Sequence, residues 1–360
     1  MNEFNFKVWL LGLWDKIKAL PWKRIALVSL CVFLALVLTA MVAVTAVIQN
    51  ILNQVVIIPP DDTLPPDATI GAATPTEPLL PSIPGQTAPT TPSSVVAHKD
   101  LVNIMLVGQD RREGQAGRTL SDVMILCTFN KQDKTITLTS FLRDSYVKIP
   151  EIGMNKMNQA YFRGGTEWLK QTMLDNFGVQ VDYFLEVDFA SFKSIVNTLG
   201  GVEINLTAAE AEYMNTNILD GIHYEPGSLK PGVNLLDGDQ ALEYARIRKV
   251  GGTGDFGRTD RQRRVIMAIA ESLRDADLVT IFNLIDQVLP HIVTNLTDAQ
   301  IIEYATKGLT ILGNGGSMET LRIPQDDAHY NANIRGMAVL VPNLEMCRED
   351  LREFIYDNEG

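Results

Sequence analysis

The chain has 360 residues, a formal net charge of −12 and 46% hydrophobic residues. After residue 97 it carries 26 Lys and Arg against 37 Asp and Glu, which excludes a generally basic nucleic-acid surface. Three cysteines do not make a disulfide framework. Ile25 to Ile48 is a run of 24 uncharged residues, about 36 Å long as a helix at roughly 1.5 Å per residue, enough to cross a bilayer core of about 30 Å. Its apolar run exceeds the roughly 7 to 15 residues usual in a cleavable signal peptide. Lys16, Lys18, Lys23 and Arg24 precede it and no Lys or Arg follows until Lys99, so the positive-inside bias places the N-terminus in the cytoplasm and the bulk of the chain outside. Trp9, Trp14 and Trp22 suit a segment in the headgroup region or an unstructured cytoplasmic tail. Pro59 to Pro92 holds ten of the 17 prolines and reads as a semi-rigid spacer. The expected organisation is a cytoplasmic or interfacial segment over 1–24, a transmembrane helix over 25–48, a Pro/Thr-rich linker over 49–97 and one extracellular domain over 98–360.

That last stretch is long enough to bury its own core. "LVNIMLVG" (101–108), "DVMILCTF" (122–129) and "TITLTS" (135–140) are short, apolar and β-branched, and predict three strands. "TEWLKQTMLDNFG" predicts a helix capped by Thr166 and stopped by Gly178, and "FASFKSIVNTLGG" a second one ending at Gly200. "YFLEV" and "VEINL" look like further strands, and 297–312 like another helix. The class is α/β, a mixed central sheet flanked by helices. Cys127 and Cys347 are buried thiols or a single disulfide. His98, His223, His291 and His329 lack ligand spacing and read as structural. There is no phosphate loop of the G-x-x-x-x-G-K-[ST] kind, no H-E-x-x-H and no G-x-S-x-G.

If "NKQDK" (130–134) is a tight hairpin turn, the second strand starts and the third ends on one sheet edge. Antiparallel pairing of the first strand brings its end there too. Asp110, Asp122 and Arg143 then converge. Two carboxylates at one point call for a cation, and oxygen-only ligands favour magnesium, or manganese or calcium, over zinc. The bland alternative is a set of helix caps and surface ion pairs. Tyr244 to Arg264, "YARIRKVGGTGDFGRTDRQRR", packs seven Lys and Arg into 21 residues of an acidic chain. Arg246 and Arg248 share a face only if "ARIRK" is extended. "TDRQ" matches a capping box, with Thr259 as the cap and Gln262 three residues later. A helix starting there would meet Arg258, Arg261, Arg263 and Arg264 at its positive end, an arrangement that an anion such as a phosphate would relieve. Arg263 and Arg264 read equally as solvent-facing.

"NIMLVGQD", "LSDVMILCTF", "SFLRDSYVKIP", "MNQAYFRGG", "GVQVDYFLEVDFASFKSIVNTLGGVEI", "LLDGDQALEYARIRK" and "DFGRTDRQRRV", in this order, resemble the LytR-CpsA-Psr family of bacterial envelope enzymes. Members transfer anionic glycopolymers, such as wall teichoic acid or capsule, from a polyprenyl diphosphate carrier onto peptidoglycan. The resemblance implies an apolar tunnel for the lipid tail and a diphosphate held by magnesium and arginines. It matches Asp110 and Asp122 to the metal-linked acidic pair, and Arg143, Arg246, Arg248, Arg258 and Gln262 to the diphosphate lining. Asp255 matches another acidic site position, and Arg261 falls within the same motif. Two departures stand out. Leu120 occupies a place where the motif has Arg, which Arg118 would replace, and Leu142 occupies one where Pro precedes Arg-Asp. Catalysis would rest on Asp122, Arg143 and Asp255, with Asp255, Asp144 or Asp122 as the base for an acceptor hydroxyl. A non-catalytic sensor of polyprenyl phosphates and a polyprenyl diphosphate-sugar hydrolase are the alternatives. Residues after about 297 carry no functional signal.

Overall fold

The computed structural model describes residues 56–57 and, with breaks at 110–117, 131–134, 218–226, 252–253, within 277–291 and at 314–317, residues 101–355. The expected membrane span and most of the linker lie outside the described residues, and among the described residues no helix is long and apolar enough to cross a membrane. The elements in chain order are β1 (Val56–Ile57), β2 (Leu101–Gln109), β3 (Ser121–Asn130), β4 (Thr135–Phe141), β5 (Tyr146–Ile149), β6 (Gly153–Lys156), α1 (Asn158–Phe177), β7 (Tyr183–Asp188) and α2 (Phe189–Thr198). There follow β8 (Val202–Leu206), α3 (Ala208–Thr216), β9 (Gly232–Leu236), α4 (Gly238–Arg246), α5 (Gly254–Asp275) and β10 (Val293–Thr294). The last are α6 (Asp298–Gly313), β11 (Met318–Ile323), β12 (His329–Ile334), β13 (Met337–Pro342) and α7 (Leu344–Ile355).

Seven strands form a mixed sheet in the order β1-β10-β7-β2-β3-β4-β11. The antiparallel pairings β2 with β3 and β3 with β4 are those expected from the hairpin argument. β7 lies parallel to β2, and β11 parallel to β4. Thus β2, β7, β4 and β11 all deliver their C-terminal ends to one edge, where β3 begins. Crevices beyond the carboxyl ends of parallel strands are where open α/β sheets place ligands. The sheet reaches into the stretch assigned to the linker, because Val56 and Ile57 pair with Val293 and Thr294.

One face of the sheet buries Met105, Met124, Leu126 and Phe141 against Leu169, Met173 and Phe177 of α1 and Cys347 and Leu351 of α7. Phe141 and Phe177 meet at 5.1 Å between ring centroids. Each such buried side chain contributes about 1.5–3 kcal/mol. The opposite face packs Val102 and Ile104 with Cys127, Phe129 and Tyr183 against Ile301 and Tyr304 of α6. Cys127 and Cys347 therefore lie on opposite faces of the sheet and both are free thiols, each pushed up to about 12 by burial. A second core joins Val196, Val202, Met214, Leu236, Tyr244 and Val265 beside the sheet. VEINL forms its strand there, in a two-stranded ribbon with β9, and not in the main sheet.

α1 departs from its expected start. The helix begins at Asn158, eight residues before Thr166, and is interrupted at Gly165, whose φ of 65° belongs to the left-handed region. Gly178 closes it in the left-handed conformation, its amide donating to the Leu174 carbonyl, as the sequence indicated.

Candidate active site

At the shared sheet edge, Asp122, Ser140, Arg143, Asp144, Arg258, Thr259, Gln262 and Leu340 are among the residues that border a shallow, solvent-open cleft. Asp122 follows the first residue of β3, and Arg143 follows the end of β4, so the hairpin brings them together across 21 positions. Arg143 donates through Nη1 to Asp122 Oδ1. Its Nε donates to Asp144 Oδ2 at 3.3 Å, and Lys156 Nζ donates to Asp144 Oδ1 at 2.6 Å. Two carboxylates and two cations thus alternate along the edge. Lys156, at the end of β6, was not singled out from sequence; only its place before the "MNQAY" motif pointed towards it. Leu142 gives up the rigidity of the family's proline but gains a donor, for its amide bonds the Ile323 carbonyl at 2.9 Å. That bond ties Arg143's segment to β11.

α5 supplies the facing wall, and here two expectations are corrected. The helix starts at Gly254, so Thr259 lies inside it and is no cap. The "TDRQ" pattern matches a capping box, but the residues before it are already helical. Helical spacing then sorts the basic residues. Arg258, Thr259 and Gln262 border the cleft, and Arg258 is 3% exposed. Arg261 faces elsewhere. Its Nε donates to Glu210 Oε1 at 2.8 Å, and its terminal nitrogens donate to the Ile247 and Val250 carbonyls at 3.3 and 3.2 Å. Arg261 is therefore a brace of the second core and not a cleft residue. Arg263 pairs with Asp260 within the helix, while Arg264 is half-exposed and donates to the Tyr244 hydroxyl at 3.1 Å. Asp255 is the second residue of the helix, one turn before Arg258.

The "ARIRK" expectation is corrected too. Arg246 is the last residue of α4, and the chain leaves helical geometry at Ile247, whose ψ is 129°. Arg246 lies over the Phe189 ring, 4.8 Å from its centroid. Phe189 follows Asp188, which pairs with Gln109 at the end of β2, so Arg246 belongs to the same sheet edge as Asp122. Arg248 is exposed and two residues further on.

Arg118 does not border the cleft. A side chain on Gly165 would collide with its guanidinium, so the glycine of "RGG" lets Arg118 lie against α1. Nearby, Tyr161 donates to the buried Glu186 and accepts from Gln109 Nε2 at 3.2 Å. Burial, then the Glu186 charge, raise the Tyr161 phenol far above its ordinary range. Gln109 Oε1 accepts from the Thr119 amide at 2.9 Å and from its hydroxyl at 3.2 Å. The Gln109 side chain thereby joins both ends of the stretch that contains Asp110.

Asp110 itself lies outside the described residues. Gln109 and Ser121 face each other in register, so the two candidate metal carboxylates each follow a residue of one facing pair. Among the described residues no group of three or more His, Cys, Asp or Glu could hold a metal ion. One or two carboxylates completed by water and ligand phosphate is, however, the set that magnesium takes, and Asp122 offers a hard oxygen at the cleft.

The C-terminal region, silent in sequence, builds part of this wall. Leu340 borders the cleft and its amide donates to the Asp144 carbonyl at 3.0 Å. Arg322 of β11 stacks over Phe256 at 4.6 Å, and Phe256 packs on His329 at 5.2 Å. These contacts clamp the first turn of α5. His329 is structural as expected, its Nδ1 lying 2.7 Å from the Gln325 carbonyl. The other three histidines lie outside the described residues.

The chain is 37% identical over 201 residues to the polyisoprenyl-teichoic acid–peptidoglycan teichoic acid transferase TagU of Bacillus subtilis, covering 55% of this chain and 61% of that protein. It thus spans less than two thirds of the length of that relative. The crystal structure of B. subtilis TagT is similar at a TM-score of 0.57 and 26% identity, over 71% of this chain and 91% of that one. A structure of TagT bound to LIIa-WTA is similar at 0.58 and 26% identity, with the same coverage. The model of the LytR_cpsA_psr family matches residues 81–353, most of the chain and all of its sheet edge save β1, and the protein belongs to that family.

Proposed function

We propose that the protein is a membrane-anchored phosphotransferase that moves an anionic glycopolymer from a polyprenyl diphosphate carrier to peptidoglycan. The observation that carries this reading is the convergence of Asp122, Arg143, Arg258 and Gln262 on one cleft at the carboxyl edge of the sheet. The names of its relatives support it, since TagU is a polyisoprenyl-teichoic acid–peptidoglycan teichoic acid transferase and TagT has been seen bound to LIIa-WTA.

In this reading the transferring phosphate enters the cleft between the β3–β4 edge and α5. Arg143, Arg258 and Arg246 neutralise the negative charge that grows on the transferring and departing phosphates, and Gln262 orients an oxygen. Arg143 is held at the cleft by Asp122 and Asp144, where it can pass to an incoming phosphate. Asp110 and Asp122 would hold magnesium, which when bound supplies further charge neutralisation at the diphosphate. Asp144 has both oxygens engaged by Arg143 and Lys156, and Asp122 is shared between Arg143 and the metal, which leaves Asp255 as the remaining candidate base for the acceptor hydroxyl. The catalytic domain lies outside the cell, held by a span over 25–48 with the N-terminus in the cytoplasm.

The test is the full chain in detergent, incubated with a lipid-linked diphosphate saccharide, magnesium and peptidoglycan fragments, with products followed by mass spectrometry. Saccharide phosphate joined to peptidoglycan, lost with EDTA and in Asp122→Ala, is the expected outcome. Release of free saccharide phosphate makes it a hydrolase. Lipid bound but unchanged overturns the enzyme reading in favour of a sensor.

A further inference from the structure

Arg246 stands at the sheet edge on a long side chain carried by the last residue of α4. A guanidinium there has many rotamers, and fixing it when an anion arrives costs side-chain entropy. The structure restrains it beforehand. Its guanidinium lies over the half-buried ring of Phe189 at 4.8 Å, the geometry in which a planar cation gains from the negative face of an aromatic ring.

The ring itself is held on a rigid frame. Phe189 opens α2, directly after Asp188, whose Oδ1 caps the helix by accepting from the Ser191 amide at 2.9 Å and hydroxyl at 2.8 Å. Asp188 in turn is the β7 residue that faces Gln109. At the far end of the same helix pair, Gly238 opens α4. A Cβ there would stand 2.5 Å from the Lys193 carbonyl oxygen, so only glycine allows this approach. The Gly238 amide donates to Asn197 Oδ1 at 2.8 Å, and Lys193 pairs with Asp239 at 3.2 Å. The antiparallel helices α2 and α4 are thus joined at both ends, by Gly238 at one and by the Arg246–Phe189 stack at the other.

We infer that Phe189 is a positioning residue, a platform that pre-sets the Arg246 guanidinium at the sheet edge for the diphosphate of the lipid-linked substrate. This rests on the function proposed above. The ring touches no reacting atom and acts through Arg246 alone, which separates it from an ordinary core residue: its effect on anion binding vanishes once Arg246 is gone.

The experiment is a double-mutant cycle on the full chain in detergent, with geranylgeranyl diphosphate as the probe, magnesium present and binding measured by calorimetry. Phe189→Leu weakens binding about fivefold to tenfold, and Phe189→Trp, which keeps an aromatic face, restores it. In an Arg246→Gln background Phe189→Leu has no further effect. An unchanged affinity in Phe189→Leu overturns the platform and leaves the proposed function standing. So does an equal loss in both backgrounds, the mark of a merely structural ring. Wild-type protein that fails to bind the probe overturns the proposed function, and the platform falls with it.

Discussion

Two carboxylate–guanidinium pairs differ in role: Arg143 with Asp122 at the cleft, and Arg261 with Glu210 in the second core. The side chains of the first pair are 18% and 23% exposed, those of the second 7% and 4%. Arg261 has its remaining nitrogens on two backbone carbonyls, and Glu210 also accepts from the Thr207 amide in a capping box. Every direction of that pair is taken. Arg143 spans two carboxylates beside open volume, where it can exchange partners with an incoming anion. Composition does not separate a structural salt bridge from a functional one. Saturation does.

Breaking the buried pair should have the largest effect. Glu210→Ala leaves Arg261 buried without its carboxylate and should cost about 3–5 kcal/mol, read as a lower midpoint in denaturant. Replacing both partners, as Glu210→Gln with Arg261→Met, should recover most of it. Full stability in Glu210→Ala would erase the distinction between the two pairs.

Arg143→Ala should act the other way round. Loss of one preorganised charge donor costs on the order of a hundredfold in kcat/KM, about 2.7 kcal/mol at the transition state, while stability shifts by less than about 1 kcal/mol because the pair is partly exposed. A large fall in melting temperature with unchanged turnover per folded molecule would reassign Arg143 to the scaffold.

A smaller, pH-dependent difference sharpens the comparison. Burial alone would raise the Glu210 carboxyl, but the Thr207 amide, Arg261 and the Thr207 hydroxyl together hold it below the ordinary carboxylate range. A depressed acid stabilises the fold above its unfolded pKa and loses that contribution as pH falls through its folded value. Glu210→Gln should therefore flatten the acid limb of the stability profile, measured by denaturant titration between neutral and acidic pH. An acid limb as steep as that of the wild type would place the proton uptake elsewhere.

The smallest effect is expected within one helix. Arg263, 17% exposed, pairs with Asp260 one turn away along α5, and Arg263→Ala should change stability by no more than about 0.5 kcal/mol. A loss of several kcal/mol by the same measurement would mean that Arg263 does more than pair within its own helix.

Much of the edge was legible because local rules sufficed. Three β-branched runs and a short connection dictate an antiparallel meander, and that alone places Asp122 beside Arg143. The errors came from longer-range physics. "TDRQ" and "DGDQ" look alike as caps, yet only Asp237 and Gln240 form a capping box, since Gly254 to Arg258 are already helical before Thr259. The extended reading of "ARIRK" assumed that Arg246 and Arg248 serve one ligand; a helix ending between them, with Arg246 on Phe189, removes the need. Nothing local announced the work of residues after 297. β11 pairs in parallel with β4 across more than 170 positions of sequence, and such pairing leaves no short-range trace.

α5 is a wall shared by two rooms. Arg258, Thr259 and Gln262 look into the cleft, while Arg261 and Val265 look into the second core. Each residue of an α-helix advances the direction by about 100°, so inserting or deleting one position between Thr259 and Arg261 would turn Arg258 and Thr259 out of phase with Arg261 and Val265. The stretch can drift in composition over evolution but not in length, and relatives that keep both rooms should show substitutions here without gaps.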